Sequence, residues 1–179
     1  MTIEVRPAEV EEILPLRKAV LRPMEPVVAS EYDGYPQVFH VGAFDSGQVI
    51  GCATVFPSPY PAAANTEADP GAVLPDAHAV SRDAHAVSRD AGAVSPDAYA
   101  WQLRGMAVDP QRQGTGIGGQ VLAAAIDLVR AAGASALWAN ARCTALPFYT
   151  SMGFQAVSEE FVYGPSELPH KRILLTLGT

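Results

Sequence analysis

Trp101-Gln-Leu-Arg-Gly-Met-Ala-Val108 runs into Asp109-Pro-Gln-Arg-Gln-Gly-Thr-Gly-Ile-Gly-Gly119 and then into an alanine-rich stretch closed by Gly133. The apolar run predicts a strand, the glycine-rich segment a turn, and the stretch behind it a helix over about 114–131. Gly118, Val121, Leu122, Ala125, Leu128 and Val129 fall on one face of that helix, which is the pattern of an element packed on a sheet. A strand that feeds a glycine-rich turn into a helix aims several backbone N–H groups, and the positive end of the helix dipole, at one point. Such a point binds phosphate.

Gly114-Thr-Gly116-Ile-Gly118-Gly119 contains G-x-G-x-x-G, the spacing of a dinucleotide-binding turn. In that fold the first glycine follows the strand almost directly, and an acid about 20 residues on holds the ribose. Here five residues separate Val108 from Gly114, and the next strand ends Trp138-Ala-Asn140. A P-loop needs Gly-Lys-Ser/Thr after its glycines, which this turn lacks. A plain structural turn would not need four glycines in six residues at a helix start, where glycine costs helix propensity.

On the N-terminal side, Ile3 to Arg6 predicts a strand and Glu9 to Leu21 a helix that Pro15 kinks or splits. Residues 22–36, rich in Pro and Gly, predict a loop with at most a short helix. Val38 to Phe44 and Val49 to Phe56 predict a hairpin turned by Asp45-Ser-Gly47. Asp69-Pro-Gly-Ala-Val-Leu-Pro75, Asp76-Ala-His-Ala-Val-Ser-Arg82, Asp83-Ala-His-Ala-Val-Ser-Arg89 and Asp90-Ala-Gly-Ala-Val-Ser-Pro96 repeat one seven-residue unit. Its apolar positions are mostly alanine, too little area to offset ordering entropy, so a largely disordered insertion at about 61–99 is expected in a single domain spanning 1–179. His78 and His85 recur through the duplication, and no metal is assigned to them. After the glycine-rich helix the order is a strand over 135–140, a helix over 144–151, a strand over 154–163 and a last strand over 171–177. The sum is a mixed α/β sheet.

The 179 residues suffice for one buried core, and 49% of them are hydrophobic. The formal charge is −7, and six acids against two bases lie within 61–100. No basic stripe invites nucleic acid. No apolar run reaches the ~20 residues of a membrane span, and the N-terminus lacks the pattern of a signal peptide. Cys52 and Cys143 make no disulfide framework. A cytoplasmic address is the expectation.

Val108-Asp-Pro-Gln-Arg-Gln-Gly-Thr-Gly116 resembles the Gln/Arg-x-x-Gly-x-Gly/Ala pyrophosphate loop of the GNAT superfamily of N-acetyltransferases. Ala145-Leu-Pro-Phe-Tyr-Thr-Ser-Met-Gly-Phe154, one helix and one strand further on, is similar to that superfamily's A-x-x-F-Y-x-x-x-G-F segment. The resemblance implies a mixed, mostly antiparallel six- to seven-stranded sheet, with splayed central strands and flanking helices. It implies that acetyl-CoA is the co-substrate, without a metal, and that its acetyl-pantetheine arm enters the splay. Carried over by position, Met106, Ala107 and Val108 offer main-chain groups to the arm. Arg112, Gln113, Gly114, Thr115, Gly116, Ile117 and Gly118 wrap the pyrophosphate. Tyr149 stands near the sulfur, where it protonates the departing thiolate. Seven residues before that tyrosine many members carry Asn. Here the position is Arg142, with Asn140 two residues earlier, and both are candidates for the cofactor.

The base that takes the proton of the acceptor amine is open among Glu159, Glu160 and His170, with Glu31 and Asp33 also eligible. His170, in Glu167-Leu-Pro-His170, resembles a Pro-His element of some members and has a side chain suited to proton transfer near neutral pH. Cys143 precedes a helix but has no base beside it in sequence, so it reads as a packed thiol. The acceptor is a small-molecule or peptide amine, and a homodimer is possible, since dimers are common in the superfamily. Two other readings stand beside this one: a CoA-binding module without catalysis, and a dinucleotide-dependent enzyme.

Overall fold

The computed structural model describes residues 3–24, 30–61, 99–163 and 168–178. The seven-residue repeats, with His78 and His85 and the disorder expected of them, lie outside the described residues.

Among the described residues one eight-stranded sheet carries the fold. In chain order its strands are β1 (Ile3–Ala8), β2 (Phe39–Asp45), β3 (Gln48–Pro57), β4 (Ala100–Val108), β5 (Ala136–Arg142), β6 (Gln155–Ala156), β7 (Phe161–Tyr163) and β8 (Leu168–Thr176). The helices are α1 (Val10–Leu21), α2 (Ile117–Ala131) and α3 (Leu146–Ser151). The spatial order is β1-β2-β3-β4-β5-β8-β6, with β7 also on β8. Every neighbouring pair is antiparallel except β4 and β5. A doubly wound dinucleotide fold needs a mostly parallel sheet, so that reading ends here.

Strand alternation divides the packing into two faces. Ala53, Leu103 and Leu137 join the main core with Val121, Leu122, Ala125 and Val129 of α2. Their chain neighbours turn the other way: Cys52 packs with Ile13 and Leu16 of α1, and Trp138 with Tyr60 and Leu174. Among the described residues no helix is long and apolar enough to cross a membrane.

Several sequence expectations shift. Pro15 does not split α1, which runs unbroken for 12 residues. Proline there removes one interior hydrogen bond, while Ile13, Leu16 and Arg17 are buried around it and hold the turn. β1 runs through Pro7 to Ala8, tolerated because β1 is the sheet's edge. The hairpin turns at Ser46 and Gly47, both with positive φ, which suits a two-residue connection. The strand expected over 154–163 is two short ones, β6 and β7, that meet β8 at different places, which makes eight strands rather than six or seven. Helix α2 starts at Ile117, not at 114, because Gly114 and Gly116 adopt left-handed φ of 76° and 87° and Pro110–Arg112 forms a separate 3-10 turn.

Candidate active site

The glycine-rich turn is held by hydrogen bonds of its own. The Asp109 amide donates to Ile50 O at 2.9 Å, the Gln111 amide to Asp109 Oδ1 at 2.9 Å, and Thr115 Oγ1 to Arg112 O at 2.6 Å. Arg112 is tied by its guanidinium to Asp45 Oδ2 at 2.7 Å, where Asp45 is buried at the end of β2. Gly116 is the cap of α2, and no side chain caps the helix. Its first-turn N–H groups are thus left for something outside the chain, and a Cβ on Gly114 or Gly116 would touch nothing, so the approach is open.

Beside this cradle the sheet opens. β4 and β5 are paired only at Ala100↔Ala136, Trp101↔Leu137 and Gln102↔Trp138. Beyond them Leu103 to Val108 and Ala139 to Arg142 diverge, and both runs line one cavity of about 710 Å³ that reaches the glycine-rich turn. The β4 wall is bent by a bulge. Register against β3 skips between Cys52↔Ala107 and Thr54↔Arg104, and Gly105 has φ +59°, which takes Gly105–Met106 out of the ladder. A bulge leaves main-chain groups without ladder partners at the cavity wall.

α3 brings Tyr149 to the opening. Its hydroxyl lies 3.5 Å from Met106 Sδ of β4, and its ring stands edge-on to Phe148 and Phe154 at 5.1 and 5.6 Å. Burial pushes the phenol up to about 12, so it is a proton donor throughout the physiological range.

The face of α1 closes the other side of the β4 wall. Arg17 makes a bidentate pair with Asp33 at 2.9 and 3.0 Å, both side chains almost fully buried, and Arg17 Cδ lies 3.0 Å from where a Cβ on Gly105 would sit. Tyr32 lies between two cations, Arg17 at 5.5 Å and Arg104 at 5.4 Å from its ring centre, and stacks on Phe56 at 5.1 Å. Thr54, opposite Arg104 on β3, meets His40 Nδ1 at 2.9 Å, and burial lowers the His40 pKa.

Of the expected cofactor residues, Met106, Ala107, Val108, Arg112, Gln113, Gly114, Gly116, Gly118, Asn140, Arg142 and Tyr149 line the cavity. Thr115 is exposed, and Ile117 turns its side chain into the core, so these two offer main chain to the turn. Asn140 Oδ1 is buried without a hydrogen-bond partner, the state of an acceptor awaiting a ligand N–H. His170, opposite Arg142 on β8, is buried at the cavity with Nδ1 2.6 Å from Leu168 O. Glu160 corrects the expectation: it lies in the connection between β6 and β7, not on a strand, is exposed, does not line the cavity, and accepts from Cys143 Sγ at 3.5 Å. Glu159 is exposed in the same connection. Asp33 is taken by Arg17, and the side chain of Glu31 lies outside the described residues.

Burial and the adjoining Glu160 raise the Cys143 thiol, which disfavours its thiolate. Sequence reasoning missed the Asp45–Arg112 and Arg17–Asp33 pairs, which join residues far apart in the chain. It also passed over Gly105, although an isolated glycine inside a strand is the ordinary mark of a bulge.

The model of the acetyltransferase (GNAT) family matches residues 8–154. Among solved structures the chain is similar to Escherichia coli ElaA, at 14% identity and TM-score 0.65 over 97% of this chain and 99% of that one. It is similar to an acyl-CoA N-acyltransferase from Pseudomonas aeruginosa, at 16% identity and TM-score 0.63 over 98% and 100%. A chain of the NatC complex bound to Gag peptide and CoA matches at 17% identity and TM-score 0.65 over 99% and 100%. At these identities the likeness is one of fold. No curated protein sequence matches.

Proposed function

The chain belongs to the acetyltransferase (GNAT) family, and from that premise we propose that it moves an acetyl group from acetyl-CoA to a primary amine by direct attack within a ternary complex. The observation that carries this reading is the continuity of three parts: an uncapped amide cradle, a gap in the sheet, and a phenol at that gap. The amides of Gly114 to Gly118 take the diphosphate, and the divergent edges of β4 and β5 take the pantetheine arm, with Asn140 Oδ1 as acceptor for one of its N–H groups. Arg142, at the end of β5, meets a phosphate.

The chemistry follows from the groups around the gap. An amine of pKa ~10 arrives mostly protonated, and His170 takes its proton. Because Leu168 O can only accept, Nδ1 of His170 is the donor to it, and Nε2 is the ring nitrogen that takes the proton. The amine lone pair forms the C–N bond at the thioester carbon, and the carbonyl oxygen gains charge beside the main-chain N–H groups freed at the β4 bulge. The C–S bond then breaks with its electron pair on sulfur, Tyr149 gives that sulfur its proton, and the second proton shed by the acylated nitrogen returns through water to the phenolate.

The test is calorimetry of acetyl-CoA and CoA against the pure chain, then mass spectrometry of amines incubated with acetyl-CoA. Binding of acetyl-CoA or CoA together with acetylated amine is expected. Tyr149→Phe should lower kcat about 10- to 100-fold with the acetyl-CoA Kd unchanged. No heat with either ligand overturns the reading, and binding without transfer to any amine reduces the protein to a CoA-binding module.

A further inference from the structure

Resting on that reading, we propose that Arg17 and Cys52 clamp the β4 bulge and so aim the Met106 N–H at the carbonyl oxygen of the acetyl thioester. Both act through the Gly105–Met106 peptide, as positioning residues.

The bulge creates the need for a clamp. Two residues of β4, Gly105 and Met106, stand against the single Ala53 of β3, between the pairs Thr54↔Arg104 and Cys52↔Ala107. Gly105 holds φ +59°. A glycine has many conformations within reach, and at a bulge no ladder partner fixes the peptide that follows it. Both residues line the cavity, and Met106 Sδ meets the Tyr149 hydroxyl at 3.5 Å. An N–H at this place stabilises a developing oxyanion only if its direction is set beforehand.

Cys52 sets the direction. Its Sγ donates to Gly105 O at 3.6 Å, and burial pushes the thiol up to about 11, so it keeps its proton. The Gly105–Met106 peptide is trans, and the N–H of a trans peptide points opposite to its C=O. The Met106 N–H is therefore turned away from Cys52 of β3. Because β4 lies between β3 and β5, that direction leads to the gap.

Arg17 holds the α carbon. Its Cδ and Nε lie 3.0 and 3.2 Å from where a Cβ on Gly105 would sit. Asp33 grips the guanidinium at 2.9 and 3.0 Å, and the two side chains are only 7% and 2% exposed. Asp33 is fixed in turn by the Ser30 amide at 2.6 Å. Apolar side chains of similar volume often stabilise a fold as well as a buried ion pair does, so the rigidity of the pair is the property that the bulge uses.

Infrared difference spectra of the full chain with acetyl-CoA, isotopically labelled at the carbonyl carbon and measured without amine, read the donor. The bound carbonyl should absorb at lower frequency than that of free acetyl-CoA. Arg17→Gln with Asp33→Asn removes both charges together, so neither stays buried and unpaired. This double variant should lose most of the shift and lower kcat about 10- to 100-fold, with the acetyl-CoA Kd unchanged. Cys52→Ala should lose part of the shift, and Cys52→Ser, which restores a donor, should recover it. A merely structural role would lower the melting temperature and raise Kd at a constant bound frequency. A bound frequency equal to the parent's in the folded double variant or in Cys52→Ala overturns the clamp. So does a parent chain that acetylates amines with no shift at all, and in each case acetyl transfer stands. If the double variant does not fold, Cys52→Ala decides alone. A chain that binds no acetyl-CoA overturns both.

Discussion

Tyr149 joins two properties that have one cause. Its ring is packed between Phe148 and Phe154, and the same burial holds its hydroxyl proton up to about 12. A raised folded-state pKa contributes stability that is complete below the unfolded phenol's ~10 and is lost as pH climbs from there through about 12. Between pH 8 and 11.5 the parent chain should lose about 1–2 kcal/mol more unfolding free energy than Tyr149→Phe, because only the parent has this proton to give up. Urea denaturation at the two pH values measures it, and parallel losses would show that the hydroxyl is not desolvated. His170 makes a different demand. Removing it by His170→Ala should lower kcat/KM about 100-fold with acetyl-CoA affinity unchanged, whereas an unaltered rate passes the base role to a water. That both residues stand at the cavity was legible in sequence from their neighbours, Phe148-Tyr149 and Pro169-His170. The roles of Asp33 and Glu160 were not. Nothing local says that Arg17, 16 positions away, consumes Asp33, or that residues 157–160 leave the strand.

At the level of elements, the cradle depends on how closely α2 is seated on β3. A Cβ on Gly51 would lie 2.8 Å from Ile117 Cγ2 and 3.2 Å from Val121 Cγ2, and both side chains are fully buried. Neither can swing away, since a β-branched side chain in a helix has one preferred rotamer. Gly51→Ala should therefore lift the N-terminus of α2, cost about 1–3 kcal/mol in overpacking, and weaken acetyl-CoA binding more than it weakens acceptor binding. Thermal unfolding and calorimetry on one preparation read both effects. A variant of unchanged affinity would show the amides are placed by the turn alone. Sequence patterning found the strand, the turn and the helix, because period 2 and period 3.6 are written in adjacent residues. It misjudged the start of α2 by three residues. The left-handed angles at Gly114 and Gly116 lengthen the turn, and composition alone does not reveal which glycines use positive φ. It also could not foresee that β4 and β5 part after Gln102 and Trp138, since a splay is the absence of pairing between strands distant in sequence.

For the molecule as a whole, the question is what the chain between Pro61 and Tyr99 owes to the fold on either side. The sheet is continuous across that gap in the chain. Pro57 pairs with Trp101, and the Ser58 amide donates to Ala100 O at 3.0 Å, so β3 and β4 meet as direct antiparallel neighbours. The last described residues before the segment are also held: Trp138 Nε1 donates to Ser58 O at 3.0 Å, Tyr60 stands edge-on to Trp138 at 6.3 Å, and Arg172 donates to Pro61 O at 3.4 Å. Loop-closure entropy grows only with the logarithm of length, so replacing 62–98 by a linker of about six Gly and Ser residues should favour folding by roughly 1–2 kcal/mol. The expected outcome is a melting temperature equal to or a few degrees above the parent's, with acetyl-CoA affinity unchanged. A fall of more than about 5 °C would mean that residues within 62–98 bury surface against the sheet. Acetylation of a panel of amines then separates a second role: a shortened chain that binds acetyl-CoA normally but changes its preference among amines would place part of the acceptor site in the removed segment.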